Sequence, residues 1–436
     1  MRGSRGAAPP STDLTASYVN NLSTDEIVRR VSRMVGAGQV RAPAGRAADA
    51  VKILLEPGNP AELAEVVRAC ETDRIALAPL GAARTLSQIR PHPVALGVSL
   101  SRLARVVAYE PKDMTITVEA GLSVGALNRT LAPARQRPPV DPCDPDATTV
   151  GALIAASRSG PLRLSEGTAR DLLIGIRYVG HQGRSVHGGG RVVKNVAGYD
   201  LMKVLGGSFG TLGVITEATF KVRPCPEKYA LTRVSFDRAE ELFAAARELH
   251  DSLPLAHFEG LSSVAAGVWG STARFLLVAG ISGSSSEVAA LHDAIARVTP
   301  RAAFLDGGEA LNAYARLRDF DASAWALSGQ IAVAPEKLAS ILAATEAHYV
   351  AHLGCGVATL FLSEPPADGR ITVDGWRAAA RRAGGYLRIL HADRSLRRSV
   401  EFFDTPNDGA LKLMRRLKAA FDPAGVFNPG CFVGGI

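Results

Sequence analysis

Gly206, Gly207, Gly210 and Gly213 crowd the approach to a β-branched run from Val214 to Phe220. Glycines gathered this way mark main chain that must come close to a phosphate or a flat ring, where a Cβ would stand in the way. The element after them reads as a strand. A G-x-G-x-x-G fingerprint opening a helix and a G-x-x-x-x-G-K-[ST] loop are both missing in their proper context, so NAD and ATP sites of those kinds are not expected. Two further places offer outward-facing N–H groups. One is Gly81, Ala82, Ala83, Arg84, Thr85 after a strand, and the other is Thr148, Thr149, Val150, Gly151, Ala152 at a helix start. Such turns and helix starts bind anions. Either alone is a turn and a cap; the two together with the glycine loop point to a diphosphate-bearing cofactor.

The elements that must hold these loops alternate. A short amphipathic helix is expected over Ser23 to Val35 with Ser23 or Thr24 as cap. Then come strand Val51 to Leu55, helix Ala61 to Glu71 and strand Ile75 to Pro79, an order that reads as α+β or α/β. Val106 to Tyr109 and Met114 to Glu119 make a hairpin, and Ser123 caps a helix to Leu131. Arg137 to Asp146 is too proline-rich for either element. Thr149 to Ser157 reads as a small-residue helix, and Leu172 to Val179 with Ser185 to His187 as a second hairpin. Around Pro224 the glycine loops stop and a second α+β region begins, with helices over Arg238 to Leu253, Ser286 to Val298 and Gly375 to Ala383. Strands are expected at Phe275 to Ile281, Ala358 to Ser363 and Tyr386 to Leu390, and a last helix at Asp408 to Ala420.

The 436 residues, 47% of them hydrophobic, suffice for two or three domains with real cores. No apolar run reaches the roughly 20 residues of a bilayer span. The N-terminus has basic residues but no apolar stretch behind them, so a cytoplasmic protein is expected. Lysine and arginine exceed aspartate and glutamate by 50 to 42, a formal charge of +8. The basic residues are scattered, which argues against nucleic-acid binding and suits an acidic partner or small anionic substrates. Cys70, Cys143, Cys225, Cys355 and Cys431 lie far apart, a pattern of reduced thiols from which no iron–sulfur cluster is built.

The order P-L-G-x-x-x-T, T-V-G-A, S-G-P-x-R, K-N-V-A-G-Y-D, G-S-F-G-T-L-G-V-I-T and F-D-P-A-G-V-F-N-P-G resembles the vanillyl-alcohol-oxidase-type flavoproteins, whose cofactor domain is also called PCMH-type. It is similar, more narrowly, to the second of the FAD-binding chains of bacterial glycolate oxidases. The resemblance implies an α+β fold: a two-subdomain PCMH-type FAD-binding domain over 47–226 after an extension over 1–46. A smaller α+β cap domain over 227–400 follows, and a segment over 401–436 returns to the FAD domain. It implies non-covalent FAD, because no histidine follows the first loop. Leu80, Gly81, Ala82, Ala83, Arg84 and Thr85, with Thr148, Thr149, Val150 and Gly151, would hold the pyrophosphate. Ser159, Gly160 and Gly167 would line the way to the flavin, and Val214 and Ile215 would meet the adenine side. Lys194, Asn195 and Tyr199 would approach the isoalloxazine, with Asn428 on the returning segment. Family members usually carry glycines where this chain has Ala82 and Ala83, and alanine resists φ > 0; Arg84 would offset that by pairing with a phosphate.

The resemblance also implies a small 2-hydroxy acid as substrate. A histidine-rich H-x-G-D-G-N-x-H motif that supplies a metal and a base in related enzymes is missing. The nearest imitation, His348 and His352 with Cys355 beyond, would set two imidazoles on one helix face, but no third or fourth ligand supports a metal. Lys194, His391 and Arg394 are the weak candidates for catalysis. The expected function is an FAD-binding oxidoreductase subunit, acting on glycolate or a similar acid beside a sister FAD subunit and an iron–sulfur subunit, with membrane contact only through partners. Two readings stand beside it: a self-sufficient dehydrogenase of the D-lactate type, and a scaffold subunit that has lost FAD.

Overall fold

A computed structural model describes residues 22–85, 93–190 and 200–436. The helix Thr24–Val35 opens on a capping box in which the Ser23 hydroxyl takes the Glu26 amide and the Glu26 carboxylate takes the Ser23 amide. It buries Ile27, Val31 and Val35, one residue per turn. Val51–Leu55 and Leu77–Leu80 both run parallel to Val94–Ser99 between them, and Val40–Arg41 completes a four-stranded sheet. The crossover helix Pro60–Asp73 begins at an Asn59 cap with proline in its first turn.

Leu77–Leu80 is the edge strand of that sheet, and its exposed side is taken by the C-terminal segment. Leu77 N–H donates to Val426 O at 2.9 Å and Asn428 N–H to Leu77 O at 2.7 Å. Beside it lies an antiparallel five-stranded sheet in the order Val106–Glu110, Thr115–Glu119, Val214–Lys221, Leu173–Val179, Ser185–Gly189. One apolar core, with Leu55, Leu77, Leu96, Val118, Phe220 and Phe427 in it, joins both sheets to the returning segment. The return to the first sheet is therefore a matter of hydrogen bonds and core packing together.

From Lys228 to Ala392 the chain builds one eight-stranded sheet, antiparallel at every pairing. Its order is Ala303–Asp306, Lys228–Phe236, Phe275–Gly283, His257–Ser262, His348–His352, Val357–Leu362, Leu327–Ala332, Tyr386–Ala392. Strand alternation divides its residues sharply. Phe258, Tyr349, Leu360, Ile331, Leu387 and Ile389 share a core with the helices Ala239–Ser252, Ser285–Val298, Pro335–Ala343 and Gly369–Arg382. The opposite face carries Glu259, His352, Thr359, Gln330 and Arg388 in the intervening positions. Part of that face is covered by helices Ser263–Trp269 and Gly307–Arg318, and part looks toward the N-terminal half.

His348–His352 is a strand, not the expected helix. Residues four apart share a face in both geometries, so the spacing alone was ambiguous. Here the His352 side chain meets Glu259 while the His348 ring packs on Phe361 at 5.6 Å. No group of three or more metal-binding side chains occurs among the described residues. No helix among them is long and apolar enough to cross a membrane.

Candidate functional site

The turn after Leu77–Leu80 meets the start of helix Val150–Ala155. A Cβ on Gly81 would stand 2.6 Å from Thr149 Oγ1 and 2.9 Å from the Ala152 methyl, so only glycine lets the two loops touch. Between them and the glycine loop opens a cleft. Leu80, Gly81, Ala82, Ala83, Arg84 and Thr85 line it, with Thr148, Thr149, Gly151, Phe209, Gly210, Gly213 and Ile215. The sequence segments expected to converge do converge. The rest of its wall is five alanines, Ala120, Ala147, Ala152, Ala155 and Ala156, with Pro79, Leu100 and Arg158.

The two amide cradles differ in what they can offer. The N–H groups of Gly81, Ala82 and Ala83 donate to no acceptor among the described residues, and successive unpartnered amides form a seat for an anion. The helix start does not. Val150 N–H donates to Leu122 O at 2.9 Å, Gly151 N–H to Ala120 O at 2.7 Å and Ala152 N–H to Thr149 Oγ1 at 3.3 Å. Its first turn is closed by the neighbouring strand end and its own cap, so Thr149 and Gly151 contribute wall surface rather than N–H groups, and Val150 is core. Ala83 sits at φ +55°, a left-handed conformation that costs an L-residue about 1–2 kcal/mol. The alanine found where glycine is usual does bear strain. The cradle, its strain accepted, still fits a diphosphate.

Other expected contacts fall elsewhere. Arg84 reaches away from the cradle, its guanidinium 3.2 Å from Asp144 and 3.1 Å from Asp321, so it straps the first half to the loop after helix Gly307–Arg318. Gly160 is glycine because Asp141 O would lie 2.1 Å from a Cβ, and its N–H is taken by Asp141 Oδ1 at 3.2 Å. Ser159 and Gly160 border a second pocket rather than the cleft. Gly167, at φ +81°, ends the short helix Arg163–Glu166 and lines neither. Val214 is a core strand residue paired with Val179. Asn428 is buried and braces the site from below, its Nδ2 donating to Phe209 O at 2.6 Å. Lys194, Asn195 and Tyr199 lie outside the described residues.

The catalytic candidates on the last strand are corrected too. An irregularity in the pairing opposite Ser328 and Gly329 leaves Leu390 in the pocket and carries His391 past it, toward Asp393 at 3.4 Å. Arg394 is exposed on the surface, 3.0 Å from Asp49.

The second pocket, about 890 Å³ of empty volume, lies between the polar sheet face and the N-terminal half, and shares Arg84 and Arg158 with the cleft. Two arginines that no sequence motif singles out define it. Arg158 Nη2 donates to Thr85 Oγ1 at 2.9 Å. Arg388 donates to Gln330 Oε1 at 3.0 Å and Ala156 O at 3.3 Å, with its guanidinium 5.8 Å from the centre of the Phe209 ring. No carboxylate pairs with either among the described residues. Burial and mutual repulsion pull the Arg388 pKa down to about 10, and burial lowers Arg158 as well. Two desolvated cations with no carboxylate bonded to either form a receptor for an anion, the one carboxylate lining the pocket, Asp321, being paired with Arg84. One signal was readable in advance: Arg388 stands between Leu387 and Ile389, so strand alternation sets it on the face opposite theirs.

Residues 51–189 match the family described as FAD binding domain, and residues 225–431 the C-terminal domain of FAD linked oxidases. The glycolate oxidase subunit GlcE of Escherichia coli is 34% identical over 35% of this chain and 43% of that protein. The glycolate oxidase subunit GlcD of Bacillus subtilis is 29% identical over 45% of this chain and 42% of that protein. A mitochondrial D-lactate dehydrogenase [cytochrome] of Arabidopsis thaliana is 31% identical over 43% of this chain and 33% of its own length. The chain thus spans less than half the length of these curated relatives in each match. Among solved structures, p-cresol methylhydroxylase with substrate bound superposes with a TM-score of 0.71 at 13% identity, over 94% of this chain and 96% of that one. The 4-ethylphenol oxidase of Gulosibacter chungangensis gives 0.69 at 16% identity, over 94% of this chain and 97% of that one.

Proposed function

From the premise that this chain is a PCMH-type flavoprotein, with an FAD-binding domain followed by the C-terminal domain of FAD-linked oxidases, we propose that it oxidises glycolate or a similar small 2-hydroxy acid as one subunit of a glycolate oxidase-like complex. The observation that carries the substrate class is the carboxylate-free pair Arg158 and Arg388, at the inner end of the cofactor cleft. A 2-hydroxy acid presents a carboxylate beside the carbon to be oxidised, and a guanidinium recognises it in two-point fashion. The amides of Gly81, Ala82 and Ala83 would hold the diphosphate of FAD, and Gly213 and Ile215, which line the same cleft, would meet its adenosine side. When bound, FAD supplies the two-electron acceptor. Phe209 lines the cleft and carries the Arg388 guanidinium over its ring, so this cation borders the cofactor cleft from the pocket side. Electrons would leave to a sister FAD subunit and an iron–sulfur subunit, a reading supported by the likeness to glycolate oxidase subunits.

The test is a visible spectrum of the purified chain, followed by anaerobic addition of glycolate or D-lactate with and without the neighbouring subunits. Bleaching of the flavin bands by the acid is expected. A chain that stays colourless after incubation with FAD would support a scaffold role instead. A second reading, a self-sufficient dehydrogenase, is supported by the likeness to a D-lactate dehydrogenase. Turnover with a dye acceptor by the chain alone would establish it.

A further inference from the structure

Behind the arginine pocket lies a buried row of ionisable groups that anion binding does not use. His257 and Glu259 are both completely buried. Glu259 Oε2 lies 2.6 Å from His257 Nδ1, and its Oε1 lies 3.3 Å from His352 Nδ1. The other ring nitrogen of His257 faces the Tyr229 hydroxyl at 2.7 Å. His352 alone of these four lines the pocket. A carboxylate accepts only, so the proton of a neutral His352 sits on Nδ1 and its Nε2 presents a lone pair. The same logic puts the His257 proton on Nδ1, with Tyr229 donating to Nε2.

We propose that His352 is the proton acceptor for the hydroxyl of the acid held by Arg158 and Arg388, with Glu259 as the positioning residue that fixes its tautomer and stabilises its charged form. This rests on the functional reading above. In the step, the C–H bond at the hydroxyl carbon breaks and its electron pair leaves as hydride, for which bound FAD is the oxidant. The O–H proton passes to His352 Nε2 and the C–O bond becomes a carbonyl. Glu259 gains from this: a buried carboxylate with one cationic neighbour is better compensated than one with neutral neighbours only. The groups facing His352 are Glu259 on the adjacent strand, Asp141 from the first half, and across the pocket Arg158, Arg318, Arg388 and the Arg84–Asp321 pair. His257 and Tyr229 hold Glu259 from behind. They keep its second oxygen occupied, so that the first is free to orient His352.

The experiment uses FAD-loaded chain and three variants, His352→Gln, His352→Ala and Glu259→Gln, checked for fold by circular dichroism. Without turnover, oxalate binding near pH 8 is followed by calorimetry in two buffers of different ionisation enthalpy. Wild type is expected to take up protons on binding, and His352→Gln to take up none. Under anaerobic reduction by glycolate, His352→Gln is expected to lose about 10²–10⁴-fold in rate, and His352→Ala to recover part of it with added imidazole. In Glu259→Gln the limiting rate of reduction is expected to fall while the apparent dissociation constant for glycolate stays near wild type, because the tautomer of His352 is no longer fixed. Unchanged proton uptake in His352→Gln, or reduction within threefold of wild type, overturns the proposal while leaving the substrate reading intact. Wild type that neither binds oxalate nor is reduced removes both.

Discussion

Gly81 and Thr149 stand so close that a single methyl group cannot be placed between them: a Cβ on Gly81 would lie 2.6 Å from the threonine hydroxyl. Gly81→Ala would therefore push the first loop away from the helix start and misdirect the amides of Ala82 and Ala83. The expected result is a folded protein whose FAD dissociation constant rises at least about tenfold, or ~1.4 kcal/mol. Fluorescence titration of released flavin measures it.

Arg388 has no carboxylate partner to lose among the described residues, so removing its charge strands no buried anion and gives up only neutral hydrogen-bond acceptors, Gln330 Oε1 and Ala156 O, and the contact with the Phe209 ring. Arg388→Gln should lower kcat/KM for a 2-hydroxy acid by about 10–100-fold, the ~1.5–3 kcal/mol of one charged hydrogen bond, mostly through KM. Arg388→Lys should restore little, because a point charge cannot reproduce the bidentate fork. Anaerobic rapid-mixing kinetics across substrate concentration separate the two terms.

Lys418 and Asp422 anchor the returning segment. The Lys418 ammonium donates to Asp422 Oδ2 at 2.6 Å, Phe427 O at 2.7 Å and Thr211 O at 2.8 Å, while Asp422 also takes the amides of Val426 and Phe427. Burial lowers the Lys418 pKa, and the neighbouring Asp422 carboxylate opposes that shift. Lys418→Met leaves Asp422 buried with no countercharge, at a cost of about 3–5 kcal/mol. The melting temperature should drop, and bound FAD should be released at a lower temperature than in wild type.

Burial by itself would raise the pKa of Glu259, but His257 and His352 outweigh it and hold the carboxyl below the ordinary value of 4.5. A carboxyl whose folded pKa lies below its unfolded one contributes stability that is present above about 4.5 and is lost as pH falls through the lowered value. The difference in melting temperature between wild type and Glu259→Gln should thus be largest at neutral pH and shrink in acid. A gap that widens in acid would reverse the assigned direction.

What could be read in the sequence was local. Ser23, Ser123 and Thr149 announced their helices as caps, and all three side chains accept the expected amide. The convergence of Gly81, Thr149 and Gly213 on one cleft followed from glycine and threonine doing what their types allow. What stayed hidden depended on strand partners. Whether the amides of Val150 and Gly151 are free is decided by Leu122 O and Ala120 O, which no spacing rule reveals. Gly160 looked like a cofactor glycine and is one that accommodates Asp141. His352 was seen, but on the wrong element, and its partner Glu259 is 93 positions away. Arg158 and Arg388 carry the anion chemistry from opposite halves of the chain, 230 positions apart by their numbers, and neither belongs to a recognisable motif.

Asn428 hydrogen-bonds to the carbonyl of Phe209, 219 positions upstream, and its own amide closes on Leu77. The ribosome therefore delivers the glycine loop and the first turn long before the piece that props them from beneath. Until that late piece arrives, the nascent N-terminal half exposes an unpaired strand edge and an unbraced loop. Flavin capture is in this sense a finishing step of biosynthesis, and a nascent chain stalled before Asn428 should remain without its yellow colour.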